Sequence, residues 1–272
     1  MKERGKGIET MRFTKMQGLG NDFLLVYGRV PETVSSLCVR LCDRHFGVGA
    51  DGVIFLSPSS VADHRMRIFN ADGSEALMCG NGIRCVGKYL YDKGLVRRKQ
   101  MTIETVSGVK QLRLRIEEGP FESVAVDMGP GAVLQEGIIF PSGIGIGTLV
   151  SVGNPHMVLF SKAVEDVPLY LWGPRIEADR RFPGGVNVEL VQILSPQKLR
   201  MRVWERGCGV TMACGTGACA SAFTAVKEGF CPPDRPIEVV LDGGSLFITV
   251  DKGGTILMEG PAVTVFEGEI EL

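Results

Sequence analysis

Met78-Cys79-Gly80-Asn81-Gly82-Ile83-Arg84-Cys85 is the stretch whose reading decides the fold, because the chain repeats it. Ala213-Cys214-Gly215-Thr216-Gly217-Ala218-Cys219 lies 135 positions further on, about half of the 272 residues. In each copy a Cys is followed by Gly-x-Gly and then by helical spacing. Ile83, Val86, Leu90 and Tyr91 recur at helical intervals, and Gly94 marks a C-terminal stop. A thiol in this position sits at a helix N-terminus, where unpaired N–H groups and the helix dipole favour negative charge. That setting lowers a cysteine pKa and populates the basic thiolate.

The repeat extends outward in both directions. Gly20-Asn21 is echoed by Gly153-Asn154, each ahead of an apolar strand (Phe23 to Val26, Met157 to Phe160). Asp43-Arg44-x-Phe46 returns as Asp179-Arg180-x-Phe182, and Val53 to Leu56 as Val188 to Val191. Arg65 to Asn70 returns as Arg200 to Glu205, each ending nine residues before its Cys, and Gly129-Pro130 as Gly260-Pro261. Matches in one order, at offsets between 131 and 136, predict two similar domains facing one another. The period is far too long for a solenoid.

Within that frame, Phe13 to Tyr27 reads as two strand pieces around a Gly-rich bend, and Ser35 or Ser36 caps a helix reaching Arg44. Arg65 to Phe69 alternates as a strand. Met101 to Val126 reads as strands broken at Gly108 and at Gly119-Pro120. The second helix, Ala218 to Val226, is apolar nearly all round and must be buried on every side. A sheet wrapped about a central helix in each half is the expected architecture, each helix presenting its Cys toward the other half.

Composition narrows the function classes. Thirty basic residues against 31 acidic give a net charge of −1, with both signs mixed, which argues against nucleic acid or an anionic membrane as partner. Hydrophobic content of 44% supports a sizeable core. Met1 to Thr10 is polar and reads as a leader outside the fold, not an export signal; Met11 is a candidate start. The longest uncharged run, between Glu136 and Lys162, is interrupted by prolines and five glycines and reads as strands and turns. A cytoplasmic protein is expected. Of eight cysteines none forms the close C-x2-C pair that zinc ligation uses, so no metal is expected. Cys38 and Cys42, and likewise Cys85, Cys208, Cys219 and Cys231, read as small apolar core residues.

Inverting a carbon that bears hydrogen requires a base on one face and an acid on the other. Paired Cys79 and Cys214 supply both, exchanging roles with substrate handedness. Open backbone at Gly80, Asn81, Gly215 and Thr216 makes an anion nest for a substrate carboxylate. Asn70 in one half stands where the other half has Glu205-Arg206, the divergence an asymmetric ligand requires. His156 is either a satisfied loop histidine or a group that tunes a thiol.

The chain closely resembles the diaminopimelate epimerases, cofactor-independent amino-acid epimerases. The resemblance runs from about Phe13 to the C-terminus through Lys15-Met16-x-Gly18-x-Gly20-Asn21-Asp22-Phe23, Asp43-Arg44-His45-Phe46-Gly47 and Gly49-Ala50-Asp51-Gly52. It continues through Phe69 to Glu75, Cys79 to Gly82, Gly153-Asn154-Pro155-His156, Asn187-Val188, Glu205-Arg206-Gly207 and Ala213 to Gly217. It implies an α+β fold of two pseudo-symmetric domains, each a mostly antiparallel sheet round a helix. The domains implied are residues 11–130 with a returning strand at 264–272, and residues 131–263. It implies Cys79 and Cys214 as the acid/base thiols, with His156 and Glu205 adjusting them. Asn21, Asn70, Asn154, Asn187, Glu205 and Arg206 would hold the substrate's outer groups, and the backbone at Gly80-Asn81 and Gly215-Thr216 the reacting carboxylate. No cofactor is implied; a small-molecule substrate and a homodimer are. Some members carry a substrate-contacting Gln where this chain has Gly52, so that contact is not transferred. Two other readings stand beside this one: a proline or hydroxyproline racemase-like isomerase of the same fold, and a cysteine-based redox or metal-binding protein.

Overall fold

Lys15 to Phe23 sets the pattern for the whole molecule: a strand, a two-residue turn, a strand. In the computed structural model, which describes residues 10–116, 123–140 and 145–272, β1 (Thr10–Gly18) and β2 (Asn21–Tyr27) pair antiparallel around Leu19 and Gly20. Both turn residues have positive φ, 57° and 85°, matching the twist of the flanking strands. The expected leader lies outside the described residues except for Thr10, which already pairs with Glu271. The expected break at Gly119-Pro120 also lies outside them.

The rest of the first half follows in order. It comprises α1 (Val34–Cys42), β3 (Gly52–Pro58), β4 (His64–Asn70), β5 (Glu75–Ala76), α2 (Gly80–Asp92), β6 (Gln100–Thr105), β7 (Gly108–Arg115), β8 (Ser123–Pro130) and β9 (Ala132–Phe140). The second half repeats it: β10 (Gly145–Ser151), β11 (Pro155–Phe160), α3 (Leu169–Glu177), β12 (Asn187–Ser195), β13 (Lys198–Glu205), β14 (Gly209–Val210), α4 (Gly215–Lys227), β15 (Pro236–Leu241), β16 (Gly244–Val250), β17 (Thr255–Gly260) and β18 (Val263–Glu271). Pairings repeat too. β2–β3 and β11–β12 are parallel, as are β4–β6 and β13–β15, and the remaining pairs within each half are antiparallel. The halves join where β8 pairs antiparallel with β17, Val126 opposite Met258. β9 pairs with β10, while β18 crosses back to pair with β1.

The two 13-residue helices α2 and α4 form the centre. α2 packs against β1, β2, β7, β8 and β18, and α4 against β10 to β13 and β15 to β17. Ile83, Val86, Leu90, Ala218, Ala222 and Phe223 are all essentially inaccessible. Each large apolar side chain so buried contributes about 1.5–3 kcal/mol. Strands under the helices are buried on both faces, so they read as apolar runs. In β3, Ile54 and Leu56 face the central helices while Val53 and Phe55 face α1 with Leu37 and Leu41. β12 does the same, with Val188 and Leu190 facing Leu169 and Ile176 of α3.

Two local expectations are corrected. α1 begins at Val34 behind Thr33, not at a serine cap, and ends at Cys42. Asp43 turns extended there, and its carboxylate accepts the His45 and Phe46 N–H groups at 2.7 and 2.8 Å, closing a turn where a helix reaching Arg44 was expected. The sequence did not announce α3, because Pro174 lies inside it. Cys38, Cys42, Cys85, Cys219 and Cys231 are buried as expected. Cys208 is exposed, carried outward between Gly207 and Gly209, both at positive φ.

Candidate active site

Both key cysteines are N-caps. Cys79 has extended backbone (φ −138°, ψ 119°) and its sulfur accepts the Gly82 N–H at 3.4 Å. Cys214 does the same (φ −118°, ψ 111°), accepting from Gly217 at 3.3 Å, with Thr216 Oγ1 at 3.5 Å. Each thiol thus takes one of the donors a helix leaves unpaired. The two helix starts abut: a Cβ built on Gly215 would lie 3.4 Å from the Cα of Gly80. Met258 sits against both, with Cε and Sδ reaching Gly80 and Sδ reaching Gly215.

Around Cys79 the polar partners are amides. Asn21 Oδ1 lies 3.6 Å from the sulfur and 3.3 Å from Asn81 Nδ2, which also donates to the Ala213 carbonyl at 3.1 Å. Asn21 is itself held by Asp51, its Nδ2 donating at 2.7 Å. Asp51 belongs to a cluster with Arg44, Asp22 and Lys15.

Behind Cys214 the partners are ionisable. His156 Nδ1 lies 2.7 Å from Glu189 Oε1 and Nε2 lies 3.0 Å from Asn154 Oδ1; His156 and Glu189 are fully buried. Asn187 Nδ2 donates to the Pro155 carbonyl and its Oδ1 accepts the Arg206 N–H at 2.9 Å, fixing the turn after β13. Arg206 is exposed, and its guanidinium donates to the Gly184 carbonyl at 3.1 Å. Glu205 accepts from Thr211 and bears on both thiols electrostatically. Asn70 ends β4 in a separate turn, its amide donating to Ser74 at 3.0 Å, and touches neither thiol.

One expectation is reversed. Burial raises both thiols above the ordinary cysteine range, outweighing the N–H groups of Gly82 and Gly217 that pull the other way. Glu205 adds to the rise at both, and Glu189 adds at Cys214. Desolvation of a thiolate therefore exceeds the stabilisation a helix terminus gives it. At Gly52 an added Cβ would lie 2.6 Å from the Phe69 carbonyl, so no side chain fits there.

Arg84, Glu189, Met258 and Thr211 belong to this site and were not singled out from the sequence. For Glu189 the signal was present, one charge inside the apolar run Val188 to Val191, whereas Arg84 shares its helix face with Asn81 and Lys88 and reads as part of a polar one.

A family model described as diaminopimelate epimerase matches residues 13–134 and 148–265. Curated relatives include the diaminopimelate epimerase of Pelotomaculum thermopropionicum, 48% identical over 277 residues, covering 95% of this chain and 98% of the relative. That of Parabacteroides distasonis is 45% identical over 269 residues, covering 97% and 99%. Among solved structures, a hydroxyproline epimerase from Agrobacterium vitis with bound trans-4-hydroxy-L-proline superposes with a TM-score of 0.79. It is 18% identical, over 100% of this chain and 94% of that one. A PhzF-family phenazine biosynthesis protein from Bacillus anthracis gives 0.78 at 18% identity, over 97% and 100%. At such identity these structures share the fold and nothing finer is drawn from them.

Proposed function

The chain belongs to the diaminopimelate epimerase family, and from that premise we propose how its own residues interconvert LL- and meso-2,6-diaminopimelate, a step of lysine biosynthesis. One observation carries the proposal: two thiols cap helices whose first residues touch. A carbon held between them meets one sulfur on each face.

One cysteine enters as thiolate and takes the α-proton; its S–H bond forms as the C–H bond breaks. The opposite thiol gives its proton to the other face, so its S–H bond breaks as the new C–H bond forms. The pair ends with the same proton count and the thiolate on the other side. No cofactor takes part. N–H groups at Gly80-Asn81 and Gly215-Thr216 hold the reacting carboxylate and take up charge as the carbanion develops. Since desolvation opposes charge on both sulfurs, this anion-binding backbone is what makes one thiolate tolerable in the site. Asn21 positions Cys79, and His156 and Glu205 adjust the acidities. Asn154 orients His156, and Asn187 sets the turn that presents Glu205 and Arg206 to the distal amino-acid end; Asn70 closes the opposite rim. A small cyclic acid offers no distal group to Arg206, which disfavours the proline-type alternative.

The deciding experiment is solvent-deuterium uptake at the α-carbon of LL- and meso-diaminopimelate, with protein freed of pyridoxal phosphate. Incorporation with both isomers supports the proposal; none with either ends it.

The strand pairings support a division into residues 11–130 with 264–272 returning, and residues 131–263. No described helix is long and apolar enough to cross a membrane. We place the enzyme in the cytoplasm, acting on a small molecule, with neither nucleic acid nor membrane as partner. A homodimer is the assembly we favour. Among the described residues β9 and β18 each pair on one side only, and they expose Leu134, Ile139, Val265 and Phe266.

A further inference from the structure

The internal repeat makes its own exceptions visible. In the first half Ile54 lies under α2, its Cδ1 2.9 Å from where a Cβ on Gly82 would sit. The matching position in the second half is Glu189, whose Oε1 lies 2.7 Å from a Cβ on Gly217, with Cys214 Sγ 3.3 Å from the same point. Phe23, which pairs with Gly52, corresponds to His156, which pairs with Asn187. An apolar pair under one helix start is thus replaced by an ionisable pair under the other.

The helices differ in the opposite sense. Five residues after Cys79 stands Arg84; five after Cys214 stands Cys219. Arg84 is fully buried, and among the described residues no carboxylate pairs with it. Its guanidinium donates to the Gly80 carbonyl at 3.0 Å, to Asn81 Oδ1 at 2.9 Å and to the Pro261 carbonyl at 3.1 Å. A guanidinium keeps its charge in such a place. One helix start therefore has a buried cation beneath it and the other a buried carboxylate.

His156 is held from both sides, its Nε2 against Asn154 Oδ1 and its Nδ1 against Glu189 Oε1. That contact sets Glu189 Oε1 against Gly217 and Cys214, and among the described residues Glu189 Oε2 has no hydrogen-bond partner. Glu205 on β13 bears on both thiols, and Asp51, paired with Arg44, reaches Cys79 through Asn21. The remaining strands around the helices turn Met16, Leu112, Val124, Leu246, Ile248 and Met258 inward, none of them charged.

Resting on the two-thiol reading above, we infer that Arg84 and Glu189 are positioning residues that make the thiols unequal, so that the first proton lost from the substrate-free pair leaves Cys79 and Cys214 keeps its own. The fold, not the substrate, then decides which sulfur is base first. The directions agree: the Arg84 charge pulls Cys79 down against burial, whereas Glu189 joins burial in raising Cys214.

The test is the pH dependence of iodoacetamide alkylation at each cysteine in the reduced, substrate-free full chain, followed by peptide mass spectrometry. The midpoint of each profile reports acidity, whereas the plateau rate also reports access. The Cys79 midpoint is expected at least about one pH unit below that of Cys214. Glu189→Gln, and Glu189→Ile which installs the residue of the other half, should lower the Cys214 midpoint by about one unit and leave Cys79 unmoved. Arg84→Met should raise the Cys79 midpoint. Coincident midpoints in the wild type, or a Cys214 midpoint unchanged in Glu189→Gln, overturn the inference; the wild-type comparison decides even if a variant does not fold. No substrate is used, so a failed epimerase assay and a failed inference remain distinct results.

Discussion

Asn81 donates from Nδ2 to the carbonyl oxygen of Ala213 at 3.1 Å, joining the residue after the first active-site turn to the residue before the second thiol. Arg84 holds Asn81 Oδ1 at 2.9 Å, which fixes the amide's orientation. Asn81→Ala leaves the Ala213 carbonyl and the Arg84 guanidinium short of a partner, an effect of about 1–3 kcal/mol. Unfolding midpoint and kcat/KM should fall together, the latter by about tenfold or more. A variant with wild-type kcat/KM would show that this bond does not set the site.

Replacing either thiol by the less acidic hydroxyl removes one of two proton-transfer groups. Cys79→Ser and Cys214→Ser should each lower kcat by about 10²–10⁴-fold while the unfolding midpoint barely moves. A drop in only one variant would mean that a single sulfur does the chemistry.

Arg206 is exposed, and among the described residues its side chain bonds to the Gly184 carbonyl of its own half. Arg206→Ala is expected to raise KM for diaminopimelate by about tenfold or more through loss of a bidentate carboxylate anchor. Folding should be untouched, since the backbone N–H still bonds Asn187. Unaltered kinetics would place the distal pocket elsewhere.

Asp22 ties Lys15 to Arg44. Burial alone would raise its carboxyl, but the Arg44 and Lys15 contacts win and hold it at about 2. A depressed carboxylate stabilises above its ordinary value of 3.8 and loses that contribution as pH falls through about 2. Asp22→Asn should therefore unfold at lower temperature than wild type near neutral pH, with the gap closing between about pH 4 and pH 2. A gap independent of pH would assign the loss to packing instead.

Gly217 has no room for a side chain, with Glu189 Oε1 and Cys214 Sγ both against it. Gly217→Ala should push the helix start from the sulfur, lowering kcat by about tenfold or more. Gly80→Ala, facing the flexible end of Met258 at 3.0 Å, should be milder. The reverse ranking would show that the two starts are not packed as described.

The sequence by itself determined the twofold repeat, the two capped helices, the strands beneath them and the family. These follow from local signals: glycine turns, apolar spacing and motifs kept in order at offsets between 131 and 136. α3 was within reach too, one offset on from α1, although Pro174 spoke against it. Only the tertiary structure decided that Cys208 lies outside, that Asn70 stands apart from the thiols and that burial outweighs the helix dipole at both sulfurs. It alone set the cation Arg84 under one helix start and the carboxylate Glu189 under the other. The dryness at the sulfurs depends on residues more than a hundred positions apart enclosing one another, as Asn81 meets Ala213 and Arg84 meets Pro261, and no local stretch of chain encodes how dry its surroundings will become.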